Sequence, residues 1–178
     1  EDGHAKLPPW RVANWVQGEP LKPENTEESA AIVAVAGAGM SAEFRAALLD
    51  RLNRWEKAYG DRFESIACIL PAGTDPAEAR RIAGQGPALA IAVDAPVIDG
   101  PGMPGYTEAV WSAWNNWGFP CYIQRPGQPP VCTAFQGDIE QALTSLDRLL
   151  ADATRQMPLS GRAALRRLRA ENKVLWEK

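Results

Sequence analysis

The stretch that decides the fold is AIVAVAGAGMSAEF, residues 31–44. Its first six residues are small and apolar without a break, which is typical of a strand buried on both faces of a sheet. Glycines end this run, and Ser41 is a good N-cap for a helix. Apolar residues then recur at helical spacing: Phe44, Leu48, Leu52, Trp55 and Tyr59. The stretch predicts a central strand, a tight loop and a long amphipathic helix.

The alternation of strands and helices continues along the chain. The predicted elements are a strand at 63–70, a helix from Asp75-Pro76 to about Ala83, a strand at 89–93, a helix from Tyr106, strands at 121–125 and 131–135, and a helix capped by Asp138. The order β-α-β-α-β-α-β-β-α predicts an α/β fold in three layers, a mixed sheet with helices on both faces.

The chain divides into three predicted segments. Residues 1–30 are polar and Pro-rich and form an extended lead-in that lies against the domain, which spans residues 31–156. Residues 157–178 form a basic helical extension after a hinge at 157–161. Its leucines lie on one side and its arginines on the other: Leu165, Leu168, Leu175, Arg162, Arg166, Arg167, Arg169 and Lys173. This helix (Arg162 to Lys178) is either a solvated face or a docking surface for a partner, a sister subunit or an anionic surface.

Composition limits the classes of function. The chain has 178 residues, 46% hydrophobic and 23% charged, which fits one globular domain. A net charge of −3 gives no electrostatic case for nucleic acid binding. No apolar run approaches the length of a membrane span. Because the chain begins at Glu1 rather than Met, we expect that an upstream segment, such as a signal peptide or lipid anchor, was removed or left out.

Cysteine and histidine positions exclude several kinds of site. The cysteines are Cys68, Cys121 and Cys132, and no two have the Cys-x-x-Cys spacing of a redox or zinc motif. The only histidine is His4, near the terminus. A structural zinc site and a Ser-His or Cys-His catalytic pair are therefore excluded, and no cofactor is expected. Cys68 lies within an apolar strand, which predicts a buried thiol.

The loop after the first strand also fits a nucleotide-binding pattern. Gly37-Ala38-Gly39 followed by Ala42, between a strand and a helix, matches the loop that holds a dinucleotide pyrophosphate. A Rossmann domain also needs an acidic residue at the end of the second strand, where this chain has Ile69-Leu70-Pro71. The chain also closes with a hairpin instead of further parallel winding. Nucleotide binding at residues 37–42 is therefore the weaker hypothesis.

Several features together point to a known family. They are Pro8-Pro9-Trp10 with Trp15 and Gly18, the core strand and long helix, and Gly118-Phe119-Pro120 before a strand and hairpin. On these features, the sequence from Pro9 to about Ala151 resembles the periplasmic thioredoxin-like proteins of the TlpA/ResA type. The resemblance implies that Pro120 is cis and lies beside the active site. It also implies a location in the periplasm or cell envelope.

This sequence departs from the family at its active site. Met40 and Glu43 stand where the family has its two catalytic cysteines. A thioether cannot form the attacking thiolate, and Glu43 acts as an ordinary acid at a helix start. The resemblance then implies a vestigial site of Met40, Glu43, Phe119, Pro120 and Cys121. The first hypothesis is a non-catalytic binding or scaffolding module of the bacterial cell envelope with a protein partner.

Cys121 and Cys132 leave a second hypothesis open. They flank the turn at Pro126-Gly127, and a two-residue loop would place them directly opposite each other. Three states are possible: a structural disulfide, two buried thiols, and an atypical redox pair, ranked in that order. The third state would make the protein a thiol-disulfide or peroxide oxidoreductase.

Three of the seven tryptophans belong to one predicted helix. Trp114 and Trp117 fit its buried face, and Trp111 is predicted to be partly exposed. Core packing explains all three. The alternative is an aromatic surface beside the vestigial site that binds a partner peptide or a hydrophobic ligand.

Overall fold

The apolar run at residues 31–35 forms the central strand of a six-stranded sheet. The computed structural model describes residues 7–21, 29–98, 102–114, 121–132 and 139–176. Its elements are β1 (Val12–Gln17), β2 (Ala31–Val35), α1 (Ala42–Tyr59), β3 (Ser65–Leu70), α2 (Pro76–Gln85), β4 (Ala90–Asp94), α3 (Tyr106–Trp114), β5 (Cys121–Arg125), β6 (Gln128–Cys132), α4 (Ile139–Thr154) and α5 (Gly161–Trp176).

The sheet is mixed and has the strand order β1-β4-β3-β2-β5-β6. Strands β2, β3 and β4 are parallel, whereas β1 and β5 pair antiparallel with β4 and β2. All five residues of β2 are buried, as expected for a strand covered on both faces. The predicted three-layer α/β architecture is confirmed.

Two strands differ from the sequence prediction. The lead-in was predicted to be extended, but its pairing with β4 as the edge strand β1 was not foreseen. Strand β6 begins at Gln128, three residues earlier than predicted, directly after a turn in which Gly127 has φ +65°. Pro129 and Pro130 lie on an edge strand and opposite the irregularity between Ile123 and Arg125 of β5, which are the two places in a sheet where proline is tolerated.

One face of the sheet is covered by α1, α2 and α4. Its core takes large side chains from all three helices and from the strands beneath them: Leu48, Leu52, Trp55, Ile82, Leu143, Leu146, Leu150, Ile32, Ile66 and Ile91. The buried Arg51 of α1 bonds to Asp147 and Glu140 of α4, the latter at 3.2 Å. Trp55 Nε1 donates to the same Asp147 at 2.6 Å. These contacts hold α1 and α4 together.

The opposite face is covered by α3 and the lead-in. The strands present small residues there, among them Ala31, Val33, Ala67, Ala90 and Ala92. Trp111 of α3 packs edge-on against Tyr122, with ring centroids 4.9 Å apart, and against Trp10 at 5.8 Å. Its Nε1 donates to the carbonyl oxygens of Pro8 and Pro9 at 3.1 and 3.0 Å. The lead-in is thereby fixed to the domain.

Among the residues that the structure describes, no helix is both long and apolar enough to cross a bilayer.

Candidate functional site

The loop that joins β2 to α1, residues 36–41, lies at the edge of the sheet where the parallel strands end. Ala36 N–H donates to Ile69 O at 2.8 Å, which extends the β2–β3 ladder by one bond. The chain then turns, with Met40 N–H donating to Gly37 O at 3.1 Å. The Ser41 hydroxyl accepts from Phe44 N–H at 3.1 Å, so Ser41 is the N-cap of α1 as predicted. We call residues 36–41 the α1 loop.

A carboxylate from the other side of the sheet holds the α1 loop. Both oxygens of Glu108, in the first turn of α3, lie 3.0 Å from Ala38 N. The side chain also comes so close to Gly37 that a Cβ there would lie 2.6 Å from Glu108 Oε1. A larger residue at position 37 would therefore require the Glu108 carboxylate to move away from the α1 loop.

A second acid places Glu108. Asp94, the last residue of β4, is almost fully buried and accepts hydrogen bonds from Thr107 N–H at 2.9 Å and Glu108 N–H at 2.8 Å. It thus caps the start of α3. Gly105 passes so close to the Asp94 carboxyl that a side chain there would collide with it. Strand β4 thus positions Asp94, Asp94 holds the start of α3, and Glu108 of α3 holds the α1 loop.

Burial raises the pKa of both carboxyl groups. For Asp94 this desolvation outweighs the hydrogen bonds from Glu108, Thr107 and Ala95, which act in the opposite direction. For Glu108, desolvation again dominates over the hydrogen bonds from Ala38 and Gly105, and the charge of Asp94 raises its pKa further. The pair can accept protons and hydrogen bonds, but it offers no thiol for disulfide exchange.

The same geometry bears on nucleotide binding. Glu108 occupies the Ala38 N–H, which is the kind of backbone donor that a pyrophosphate would need. Its carboxylate also places negative charge against the α1 loop, where a phosphate would have to sit. Both effects disfavour the binding of a phosphate or another anion at residues 37–42.

The predicted vestigial site is only partly within the described residues. Met40 is half-buried and packs against the core, whereas Glu43 is exposed in the first turn of α1. Cys121 begins β5, is buried, and pairs with Ala34 of β2. Phe119 and Pro120 lie outside the described residues, so the cis peptide at Pro120 stays a prediction.

Cys68 lies fully buried in β3, as predicted. Burial raises the pKa of its thiol to about 12, with a small opposing effect from the positive charge of Arg45. The thiolate that a redox reaction needs is therefore scarce at neutral pH. Cys68 behaves as a small apolar core residue.

The expected alignment of Cys121 with Cys132 is wrong by one residue. The turn pairs Arg125 with Gln128, but an irregularity follows, and Cys132 lies opposite Tyr122. Because neighbouring strand residues point to opposite faces, a one-residue shift separates positions 121 and 132 onto different faces. This register gives no geometric basis for a disulfide between Cys121 and Cys132. The side chain of Cys132 lies outside the part of the chain that the structure describes.

The expected partial exposure of Trp111 is also wrong. Trp111 is fully buried, because the lead-in covers the side of α3 that the helical pattern left open. It cannot contribute to an aromatic ligand surface in this conformation. Trp117 and the side chain of Trp114 lie outside the described part of the chain, so their binding role stays a prediction.

An exposed apolar patch that the sequence analysis missed lies at the same sheet edge. Val97, Ile98 and Met103 are 55%, 61% and 41% exposed in the loop between β4 and α3. A bridge between Pro96 and Gly105 closes the base of this loop, next to Asp94. The sequence feature that could have indicated this patch is the apolar pair Val97-Ile98 within a Gly/Pro-rich loop. In the sequence, Asp94 is an acid at the end of a strand, and only Glu108 resembles an ordinary helix-start acid.

Within residues 7–21, 29–98, 102–114, 121–132 and 139–176, no three His, Cys, Asp or Glu side chains come together as ligands.

Comparisons with known proteins bear on the fold. The sequence matches no protein family model, and no curated protein matches it significantly. The structure is similar to a thiol-disulfide isomerase from Corynebacterium glutamicum, with a TM-score of 0.64 and 16% identity over 88% of this chain and 100% of that one. It is also similar to a thioredoxin-like superfamily protein, with a TM-score of 0.62 and 13% identity over 86% and 99% of the two chains. The chain therefore has a thioredoxin-like fold, as the resemblance implied.

Proposed function

Because the chain has a thioredoxin-like fold, we propose that it is a protein-binding module that does not catalyse thiol-disulfide exchange. The observation that carries the proposal is the α1 loop, where the Glu108 carboxylate of α3 accepts a hydrogen bond from Ala38 N–H. Met40 and Glu43 stand there at the positions that the family resemblance assigns to the two catalytic cysteines. Dithiol catalysis needs a thiolate at the start of this helix. A thioether and an exposed carboxylate supply none.

The cysteines support the same conclusion. Cys68 and Cys121 are both fully buried, and the pKa of Cys68 is raised to about 12. A substrate disulfide must reach a sulfur atom along the S–S axis, so a buried thiol reacts only when the domain opens. The hairpin register also separates the positions of Cys121 and Cys132.

The binding surface in this proposal is the exposed apolar patch of Val97, Ile98 and Met103. Isolated exposed apolar residues are common, but here three lie on one loop, which starts from the same end of the parallel strands as the α1 loop, and together they suit a polypeptide with apolar side chains. Asp94 lies at the base of that surface, where it accepts hydrogen bonds from the start of α3. The partner would be an extended or unfolded segment with apolar side chains.

Redox inactivity is tested by an insulin-reduction assay on the purified chain with dithiothreitol. The expected result is a rate equal to the uncatalysed background. Turnover that is lost in Cys121→Ala or Cys132→Ala, but kept in Cys68→Ala, would overturn the proposal in favour of an oxidoreductase. Folding of each variant is checked by circular dichroism.

Polypeptide binding is tested with reduced, carboxymethylated lactalbumin as an unfolded probe. We expect binding that weakens by about tenfold in Val97→Asp with Ile98→Asp, because the charges oppose burial of this patch. The matched control is Leu165→Asp with Leu168→Asp, which changes equally exposed apolar residues elsewhere. Absence of binding, or equal loss in both variants, would contradict the assigned surface.

We also place the protein in the bacterial cell envelope, on the resemblance to periplasmic thioredoxin-like proteins. Fractionation of cells that express the native gene tests this. Recovery with cytoplasmic markers would contradict it.

A further inference from the structure

Helix α5 is attached to the domain through its first turn. The Ser160 hydroxyl accepts from Ala163 N–H at 3.2 Å, and Glu64 accepts from the N–H groups of Gly161 and Arg162. Ala163 is buried, but every residue from 164 to 171 is exposed. Beyond its first turn the helix is therefore largely exposed to solvent.

The exposed part of α5 has an apolar side. Leu165 and Leu168 are 56% and 55% exposed, and residues three apart on a helix share a face. A single helix of this length is marginal in water without a packed face. The leucines therefore favour a state in which something covers them.

The same helix concentrates positive charge. Five cationic residues and Glu171 give α5 a net charge of +4, in a chain whose net charge is −3. Arg162 and Arg166 pair with Glu56 and Asp61 at 3.1 and 2.9 Å. Within the described chain, Arg167 and Arg169 form no ion pair, and both are exposed. Two arginines remain available for an anionic partner.

A groove of about 540 Å³ lies between α5 and the start of β3. Arg162, Arg166, Arg169 and Leu165 line it on the helix side. The facing acids are Glu64, whose carboxylate already binds the N–H groups at the helix start, and Glu19. The groove thus places several guanidinium groups beside an exposed leucine, an arrangement that suits an anionic headgroup next to an apolar chain.

We infer that α5 is an interfacial helix that binds the surface of anionic phospholipid membranes. Its leucines enter the boundary of the acyl chains, and its arginines bind headgroup phosphates. A second copy of the chain fits less well, because it would bring two helices of charge +4 together. The rest of the chain is acidic and is repelled by an anionic membrane. This repulsion is weak, because salt screens charges beyond about 8 Å and α5 extends about 20 Å beyond Ala163.

The test is co-sedimentation of the full chain with vesicles of phosphatidylglycerol and phosphatidylcholine in equal parts. We expect binding that weakens as salt rises and no binding to pure phosphatidylcholine. Arg167→Gln with Arg169→Gln, and separately Leu165→Gln with Leu168→Gln, should each lower the partition coefficient by about tenfold or more. All four residues are exposed, so the domain should still fold.

Matched controls distinguish vesicle binding by α5 from nonspecific electrostatic and hydrophobic binding by the rest of the chain. Arg80→Gln with Arg148→Gln removes the same charge from exposed sites elsewhere, and Val97→Gln with Ile98→Gln removes comparable apolar surface. Both controls should bind vesicles like the wild type. No vesicle binding, or equal loss in test and control variants, would overturn the inference. A second result would also overturn it: the chain binds no vesicles, forms a dimer in sedimentation velocity, and only the leucine variants dissociate that dimer. This result would mean that α5 binds a second copy of the chain.

Discussion

The two faces of the sheet are stabilised by different means. Helices α1, α2 and α4 cover one face with large aliphatic and aromatic side chains, and an ion pair between the buried Arg51 and the partly exposed Asp147 joins two of them. The other face carries mostly alanine and valine beneath the short helix α3 and the lead-in. There, backbone carbonyl groups of the lead-in accept hydrogen bonds from Trp111 and Thr107. The first face depends on buried apolar area, and the second depends on a few specific contacts.

The candidate site joins these two faces. Glu108 belongs to α3 on the second face, and the α1 loop that it holds leads into the main helix of the first face. A change in the packing of α3 should therefore reach the site, whereas a change in the α1–α4 contact should mainly alter stability. Variants of equivalent tryptophans on the two faces test this difference.

The largest effect is expected from Trp55→Ala on the first face. Trp55 is fully buried and donates to Asp147 at 2.6 Å, so the change leaves a cavity and removes one of the hydrogen bonds of Asp147, which keeps its contact with Arg51. We expect the free energy of unfolding to fall by about 3–5 kcal/mol in urea denaturation. Trp55→Phe, which keeps most of the ring, is the control and should lose less. A loss below about 1 kcal/mol for Trp55→Ala would show that α1 and α4 are not tightly packed.

A smaller and more local effect is expected from Trp111→Phe on the second face. An aromatic ring is kept, but the N–H that donates to Pro8 and Pro9 is lost, at a cost of about 1 kcal/mol. Hydrogen exchange should then rise in the lead-in and in the α1 loop, because both depend on α3. In Trp55→Phe, exchange at these two segments should match the wild type. Equal exchange in both variants would mean that the lead-in is held by β1 pairing alone.

The sequence predicted the first face well because its signals are local. Apolar periodicity fixes the inward side of α1, and Ser41 and Asp75 cap α1 and α2 through bonds to nearby N–H groups. These features depend on residues a few positions apart. The continuous apolar run of β2 likewise requires a strand covered on both sides.

The second face could not be predicted because its contacts are distant in sequence. Trp111 is buried by Pro8 and Pro9, about a hundred residues earlier, and no helical pattern contains that information. Glu108 resembles any acid in a first helical turn until the fold brings it to Ala38. The hairpin register depends on one irregularity between Ile123 and Arg125, which moves Cys132 opposite Tyr122. Such features need the assembled tertiary structure.

The smallest expected effect is a pH dependence at the junction of the two faces, tested by Glu108→Gln. Burial raises the pKa of this carboxyl, so the folded protein holds the proton to a higher pH than the unfolded chain does. The stability that this group contributes is complete below its unfolded pKa of about 4.3 and is lost as pH rises through the raised native value. The substituted amide keeps an oxygen acceptor for Ala38 N–H without the charge. The stability of the variant relative to the wild type should therefore increase with pH, measured as urea midpoints.

The control for this prediction is Glu43→Gln, which removes an exposed negative charge from the first turn of α1. That charge favours the positive end of the helix dipole, so its loss should lower stability slightly at neutral pH. The two variants thus have opposite signs at neutral pH. If the stability of Glu108→Gln relative to the wild type instead fell with rising pH, the hydrogen bond from Ala38 would outweigh burial. The carboxylate would then stabilise the α1 loop most in its ionised form, and α3 would act on the first face through charge as well as packing.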